Sequence, residues 1–349
     1  MLSRVAESLY WMGRYIERAE NVARFIDVTL NLMLDAPGVT EQWGPLVTTT
    51  GDQEYFKKKY GKPTRENVLQ FLTFDRDYSS SIISCLRGAR ENARSVREII
   101  SSEMWEQINT FYLMVNDAAS VSSQAGGAIE SPLAFFTKVK EGSHLFIGIM
   151  ETTMTHGEAW HFARLGRSLE RADKTSRILD VKYYILLPKA QDVGTPVDEM
   201  QWAAVLRSAS AFEMYRKKYH RIAPDSVVDF LVLDRYFARS VHFCLYRAFE
   251  SLHAISGTQP GTYCNTAERL LGKIRSDMAY TEVDEVIEGG LHEYIDSLQK
   301  KLNSVGDAIH ETFFAMRPLE SMQSQTQIIY GKKDSQVMTQ SQSQSQKTK

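Results

Sequence analysis

At 349 residues the chain has room for two domains or one large duplicated one, and 43% hydrophobic with 24% charged residues are the proportions of an ordinary globular protein. A net charge of −2 supplies no global field for nucleic acid or for an anionic membrane surface. Three cysteines (Cys85, Cys244 and Cys264) are too few and too scattered for a disulfide framework or a zinc site, and they fit a reducing cytoplasm.

The early charges Arg4, Glu7, Arg14 and Glu17 argue against a signal-peptide core, and no apolar run is long enough to span a bilayer. Val5, Leu9, Met12, Ile16, Ala19, Ala23, Ile26, Leu30 and Met33 alternate steps of four and three. That period predicts an amphipathic helix over residues 3–35, ended by Pro37-Gly38. A second helix is expected over 41–60. A third is expected over 67–102, with Asn67 and Gln70 as its start signal and a break near Ser101. A helix over 103–123, a turn at Gly126-Gly127 and a helix over 132–150 follow. The region 158–187, stopped by Pro188, carries the stripe Phe162, Leu165, Leu169, Ala172 and Leu179 and is expected to mirror the first helix. Helices over 198–220 and 226–256 come next, the latter with Ser226 and Asp229 as start signal, then 265–279 and 291–314. No stretch alternates as a strand does, so the expected fold class is all-α, a helical bundle. From about 318 onward the Gln/Ser-rich composition cannot bury enough apolar surface to offset its ordering entropy, and a disordered tail is expected over 318–349.

The chain repeats itself. Gly13-Arg14-Tyr15-Ile16-Glu17-Arg18-Ala19-Glu20 returns as Gly166-Arg167-Ser168-Leu169-Glu170-Arg171-Ala172-Asp173, and Arg24 returns as Arg177. A second block, Val68, Phe71, Leu72, Asp75, Arg76, Ser81, Cys85, Leu86 and Ala89, returns as Val227, Phe230, Leu231, Asp234, Arg235, Ser240, Cys244, Leu245 and Ala248. This predicts an internal duplication with approximate twofold symmetry: a first repeat over 1–125, a connecting segment over 126–155, and a second repeat over 156–317.

The polar residues kept in both copies are the candidates for function. Arg14, Glu17, Arg18, Asn21 and Arg24 fall on the side of the first helix away from its apolar stripe. Glu20 with Arg24, and Asp173 with Arg177, read as i,i+4 pairs on a solvated face. Asp75 and Asp234 fall by helical spacing among apolar residues, where a carboxylate needs a cation, a hydrogen-bond network or a proton. The expectation is one interhelical network in which Arg14, Arg18, Arg167 and Arg171, with Glu17 and Glu170, meet Asp75 and Asp234; Arg76 and Arg235 follow those aspartates. Such a network has two readings. It is either a buried ion cluster that fixes helix register, or a cleft whose arginines hold a carboxylate or phosphate, with Glu17 or Glu170 as general base. Lys57-Lys58-Lys59 and Lys217-Lys218 are expected as solvated helix ends. No histidine spacing, glycine-rich phosphate loop or nucleophile motif points to a metal or a cofactor.

The stretch Met1-Leu2-Ser3-Arg4-Val5-Ala6-Glu7-Ser8-Leu9-Tyr10-Trp11-Met12-Gly13-Arg14-Tyr15-Ile16-Glu17-Arg18-Ala19-Glu20-Asn21 closely resembles the start of bacterial alpha-E proteins, α-helical proteins named for a Glu-Arg motif. Glu91-Asn92-Ala93-Arg94-Ser95-Val96-Arg97 and Ser102-Glu103-Met104-Trp105-Glu106-Gln107-Ile108-Asn109 also resemble family segments, and the resemblance covers about residues 1–315. It implies that Glu17 and Arg18 are the family's pair, which the repeat extends to Glu170 and Arg171, and that Asn92 and Arg94 join the same polar surface. The family's association with circularly permuted ATP-grasp and transglutaminase-like proteins implies a role in making, modifying or breaking peptide or amide bonds. The expected function is therefore an accessory or interaction protein, cytoplasmic, working with an ATP-grasp ligase or a transglutaminase-like protein. An enzyme acting on a peptide or amino-acid carboxylate and a purely structural scaffold are the alternatives.

Overall fold

The apolar stripe of the first helix, α1 (Ser3–Asp35), is buried as its period predicts: Leu9, Met12, Ile16, Ala19, Ala23, Ile26 and Leu30 all lie in the core. The structure, a computed structural model, describes residues 1–35, 43–122, 131–185 and 195–315. The expected stops at Pro37-Gly38 and Pro188, the Gly126-Gly127 turn and the tail over 318–349 lie outside those residues. The described residues form fifteen α-helices and no strand. Residues Met1–Phe313 make one compact unit.

After α1 come α2 (Gly44–Thr50), α3 (Gln53–Tyr60), α4 (Arg65–Leu69), α5 (Ile82–Ser95), α6 (Ser102–Ser122) and α7 (Pro132–Thr153). Then follow α8 (Glu158–Ile185), α9 (Pro196–Ser208), α10 (Phe212–Lys218), α11 (Pro224–Val228), α12 (Val241–Ser256), α13 (Thr266–Tyr280), α14 (Val283–Glu288) and α15 (Leu291–Ile309). Each expected second helix is divided. Gly51, at a φ of 80°, separates α2 from α3, and Ser210, at 49°, lies between α9 and α10. The expected third helices break as well. Each starts earlier than expected, at the caps Thr64 and Ala223, and runs through a π-helical turn (Gln70–Phe74 or Asp229–Leu233). Each leaves the helix at Asp75 or Asp234 and restarts at Ser81 or Ser240, whose hydroxyl caps the next helix.

The bundle is built around α1 and α8. Met1 meets Glu158, Tyr10 meets Gly166 and Glu17 meets Arg171, so the contacts advance together and the two helices run parallel. Antiparallel helices flank them. Ser95 of α5 donates to Ser8, while the Tyr15 ring lies on Gly88 of the same helix. Lys140 and Ser143 of α7 reach Asp27 and Glu20 of α1. On α8, Arg164 pairs with Glu250 of α12 and Asp180 with His292 of α15. The helix α6 packs on α5 and α7, through Arg90–Asn109 and Gln107 to the Gly142 carbonyl; α13 packs on α12 and α15.

The centre of this arrangement is a backbone crossing with no room for side chains. A Cβ placed on Gly13 would lie 2.3 Å from the Ala163 carbonyl oxygen, and one on Gly166 would lie 2.1 Å from that of Tyr10. Glycine at both positions lets α1 and α8 approach to backbone contact. Gly166→Ala is therefore expected to lower the unfolding free energy by about 1–3 kcal/mol through overpacking. Gly148→Ala, on α7 with nothing within 4 Å of the new carbon, should be neutral or mildly stabilising. Urea unfolding of both variants measures the contrast.

Candidate functional site

One helical turn beyond each glycine stands a Glu-Arg pair, and the two pairs exchange partners. Arg171 holds Glu17 with both arms, Nε to Oε1 at 2.9 Å and Nη2 to Oε2 at 2.6 Å. Arg18 holds Glu170 in the same way, Nε to Oε1 at 2.6 Å and Nη2 to Oε2 at 3.0 Å. These are bidentate, charge-assisted bonds between carboxylates that solvent does not touch and arginines that are nearly buried. Arg14 adds a further bond to Glu170 at 2.8 Å. Asn21 donates to Glu17 at 2.9 Å and accepts from Arg239 at 3.2 Å.

A second layer continues the cluster. Arg24 holds Glu20 through Nε at 2.9 Å and Nη2 at 2.6 Å, Ser143 donates to Glu20 at 2.6 Å, and Arg239 also reaches it. Arg177 and Lys174 hold Asp173. These i,i+4 pairs were expected on a solvated face. Instead Glu20 is 0% and Arg24 4% exposed, because α7, α8 and the segment entering α12 cover the polar side of α1 as fully as α5 covers the other.

Asp75 and Asp234 stand apart from this cluster, which corrects the sequence expectation. Asp75 accepts from Lys59 at 2.8 Å, Tyr60 at 3.0 Å and the Asp77 amide at 3.0 Å. Asp234 accepts from Lys218 at 2.9 Å and from the Tyr236 and Phe237 amides. Helical spacing placed them on a core face, but the helix ends at each of them, so the carboxylate folds back to hold the turn. Lys59 and Lys218 are exposed in the last turns of α3 and α10, as expected, and in addition hold these aspartates. Arg76 and Arg235 are exposed and bond Asn116 and the Ala279 carbonyl. Arg94 is exposed and pairs with Glu91, and the Asn92 carbonyl accepts from Ser95; neither joins the cluster.

The electrostatics follow from burial against pairing. Burial pushes the Glu17 and Glu170 carboxyls up, but Arg171 on one and Arg18 with Arg14 on the other outweigh it, and both pKa values end below the ordinary carboxylate range. Glu20 and Asp173 are lowered too, against the same burial, by Arg239 and by Lys174 with Arg177. Burial wins at Arg239, whose guanidinium falls to about 10, and burial with the neighbouring Arg171 lowers Arg167.

Arg167 does not copy Arg14. Its Nη2 bonds Glu151 of α7 at 3.2 Å, and its Nη1 is buried with no hydrogen-bond partner. It lines a cleft of about 610 Å³ with five more arginines: Arg24, Arg164, Arg171, Arg239 and Arg247. Sequence reasoning missed Arg164, Arg239 and Arg247 because it selected residues kept in both copies. The register that aligns Ser81 with Ser240 and Gly13 with Gly166 sets these three against Trp11, Ser80 and Gly88. Among the described residues no group of three or more His, Cys, Asp and Glu side chains has the arrangement to hold a metal ion. No described helix is long and apolar enough to cross a membrane.

Comparison with known proteins finds the same helical class and the same Glu-Arg motif. Residues 1–314 match the Alpha-E family, described as a predicted alpha-helical domain with a conserved ER motif, and the chain belongs to that family. It is similar to uncharacterized proteins of Mycobacterium bovis and of two strains of Mycobacterium tuberculosis, at 22% identity over 342 residues in each. The match covers 90% of this chain and 37% of each relative, so the chain spans well under half the length of the curated proteins it matches. No solved structure matches it.

The depressed carboxylates tie stability to pH. Their folded pKa values lie below the unfolded ones, so their contribution is complete above the unfolded carboxylate range and is lost as pH falls toward the folded values. Unfolding free energy should therefore drop below about pH 4.3. Glu170→Gln should cost about 3–5 kcal/mol at pH 7, because Arg14, Arg18 and Lys174 are left around a neutral group, and should flatten that acid limb. Urea unfolding from pH 7 to pH 3 on both proteins reads the two effects.

Proposed function

We propose that this chain is an accessory protein: a rigid helical unit that docks beside an ATP-grasp peptide ligase, or a transglutaminase-like protein, and serves peptide or amide-bond synthesis or modification. The observation that carries this reading is the state of the Glu-Arg motif. A general base must reach its substrate and hold a pKa near the working pH. Glu17 and Glu170 are 0% exposed, each gripped by a bidentate arginine, with pKa values moved away from neutrality. The family's hallmark residues thus suit an internal clamp better than a reaction centre, which weighs against the enzyme alternative built on them. The partial coverage of the mycobacterial relatives is in keeping with a unit that operates next to further protein. A reducing cytoplasm suits the free thiols Cys85 and Cys244, both buried.

Co-expression with the ATP-grasp protein of the same organism, followed by size-exclusion chromatography with light scattering, tests the reading. The expected result is a stable complex at about 10 μM of each chain, with ligase ATP turnover raised by the complex. Separate elution at that concentration, together with turnover of ATP and peptide by this chain alone, would overturn it.

A further inference from the structure

We propose that the arginine-lined cleft between α7, α8 and α12 is a binding site for a small organic phosphate. The proposal concerns this chain by itself and does not depend on the partner reading above. Four observations converge on it.

The first is charge. The six lining guanidinium groups, Arg24, Arg164, Arg167, Arg171, Arg239 and Arg247, are paired with four carboxylates: Glu17, Glu20, Glu151 and Glu250. Six against four leaves a formal surplus of two positive charges, all within one cavity. A phosphate monoester carries about −1.5 to −2 near neutral pH and matches that surplus, whereas a single carboxylate covers half of it. The second is the donor left over. Arg167 Nη1 is buried with no protein partner, and a buried guanidinium nitrogen in that state is costly unless water or a ligand completes it. Guanidinium forks match the paired oxygens of a phosphate.

The third is shape. About 610 Å³ lies within the range of small-molecule sites and exceeds what a lone phosphate fills. Trp160, Phe243 and Ile147 form part of the wall, so the rest of the ligand rests on apolar surface. The fourth is the contrast with the corresponding place in the first half of the chain. There the Trp11 and Tyr15 rings pack together, with the Tyr15 ring on Gly88. In the second half the aligned residues are Arg164, Ser168 and Arg247, all of which line the cleft. Aromatic filling on one side is replaced by guanidinium groups around a space on the other.

The test uses the full chain and isothermal titration calorimetry at low salt. The probes are phenyl phosphate, inorganic phosphate and benzoate. Variants are chosen to spare the buried pairs. Arg171 and Arg239 hold fully buried carboxylates, whereas the partners of Arg167 and Arg247, Glu151 and Glu250, are 36% and 33% exposed. Phenyl phosphate should bind one per chain, inorganic phosphate should displace it, and benzoate should bind at least about tenfold more weakly. Arg167→Met and Arg247→Met should each weaken phenyl phosphate by about tenfold, while Lys300→Met, on the exposed face of α15, leaves it unchanged. Thermal melting of each variant verifies folding, and Arg247→Met carries the test if Arg167→Met does not fold. No heat with phenyl phosphate at millimolar concentration would overturn the proposal. So would binding indifferent to the folded variants, or benzoate binding as tightly as phenyl phosphate, which would mark a carboxylate site.

Discussion

Two carboxylates that never meet water, each gripped by an arginine from the opposite helix, set the terms for the rest of the molecule. An unpaired Glu17 or Glu170 in that interior would cost more than its neighbours could offset, so α1 and α8 must lie in the one register that lets Arg171 and Arg18 cross over. Gly13 and Gly166 make that register sterically available, and the exchange makes it selective against a slipped one. Hydrophobic burial supplies the bulk of the driving force, but apolar stripes tolerate sliding better than forks and carboxylates do. The parallel pair then fixes where α5, α7, α12 and α15 lie, since each packs on α1 or α8.

Much of this could be read from residue order. The limits of α1 follow from an unbroken four-three period, and the all-α class from the absence of alternation. The interhelical meeting of Arg14, Arg18 and Arg171 with Glu17 and Glu170 followed from their being kept twice. Asp75 and Asp234 were misplaced for a definite reason: spacing along a helix predicts facing only while the helix persists, and both residues stand where it stops. The burial of Glu20 and Arg24 was equally hidden, because an i,i+4 ion pair looks the same in sequence whether a neighbour covers it or not.

The cleft was illegible on other grounds. Its distinguishing side chains occupy positions at which the two stretches differ, so a search for shared residues discards them. Arg239 stands where the first stretch has Ser80, and Ser210 where it has Gly51. Both differences add contacts to the cluster. Arg239 drives a further guanidinium into the Glu17–Glu20 layer, and Ser210, at a left-handed φ of 49°, accepts from Arg24. Rings fill one flank, at Trp11 and Tyr15, while the other keeps a cleft of about 610 Å³.

The parallel course of α1 and α8 has a consequence for how the chain reaches its native state. Glu17 is made well before its counter-ion Arg171, which lies more than one hundred and fifty residues further on, with α2 to α7 between. Until α8 is made, the first helix has no arginine from that helix for Glu17 and no backbone groove for Gly13. The amino-terminal half therefore cannot complete its own interior, and final assembly waits on a contact of very long sequence separation, the kind that slows folding most. Molecules truncated before α8 would present a charged, half-apolar helix surface, with Arg14, Glu17 and Arg18 bare, to whatever chaperones or neighbours they meet.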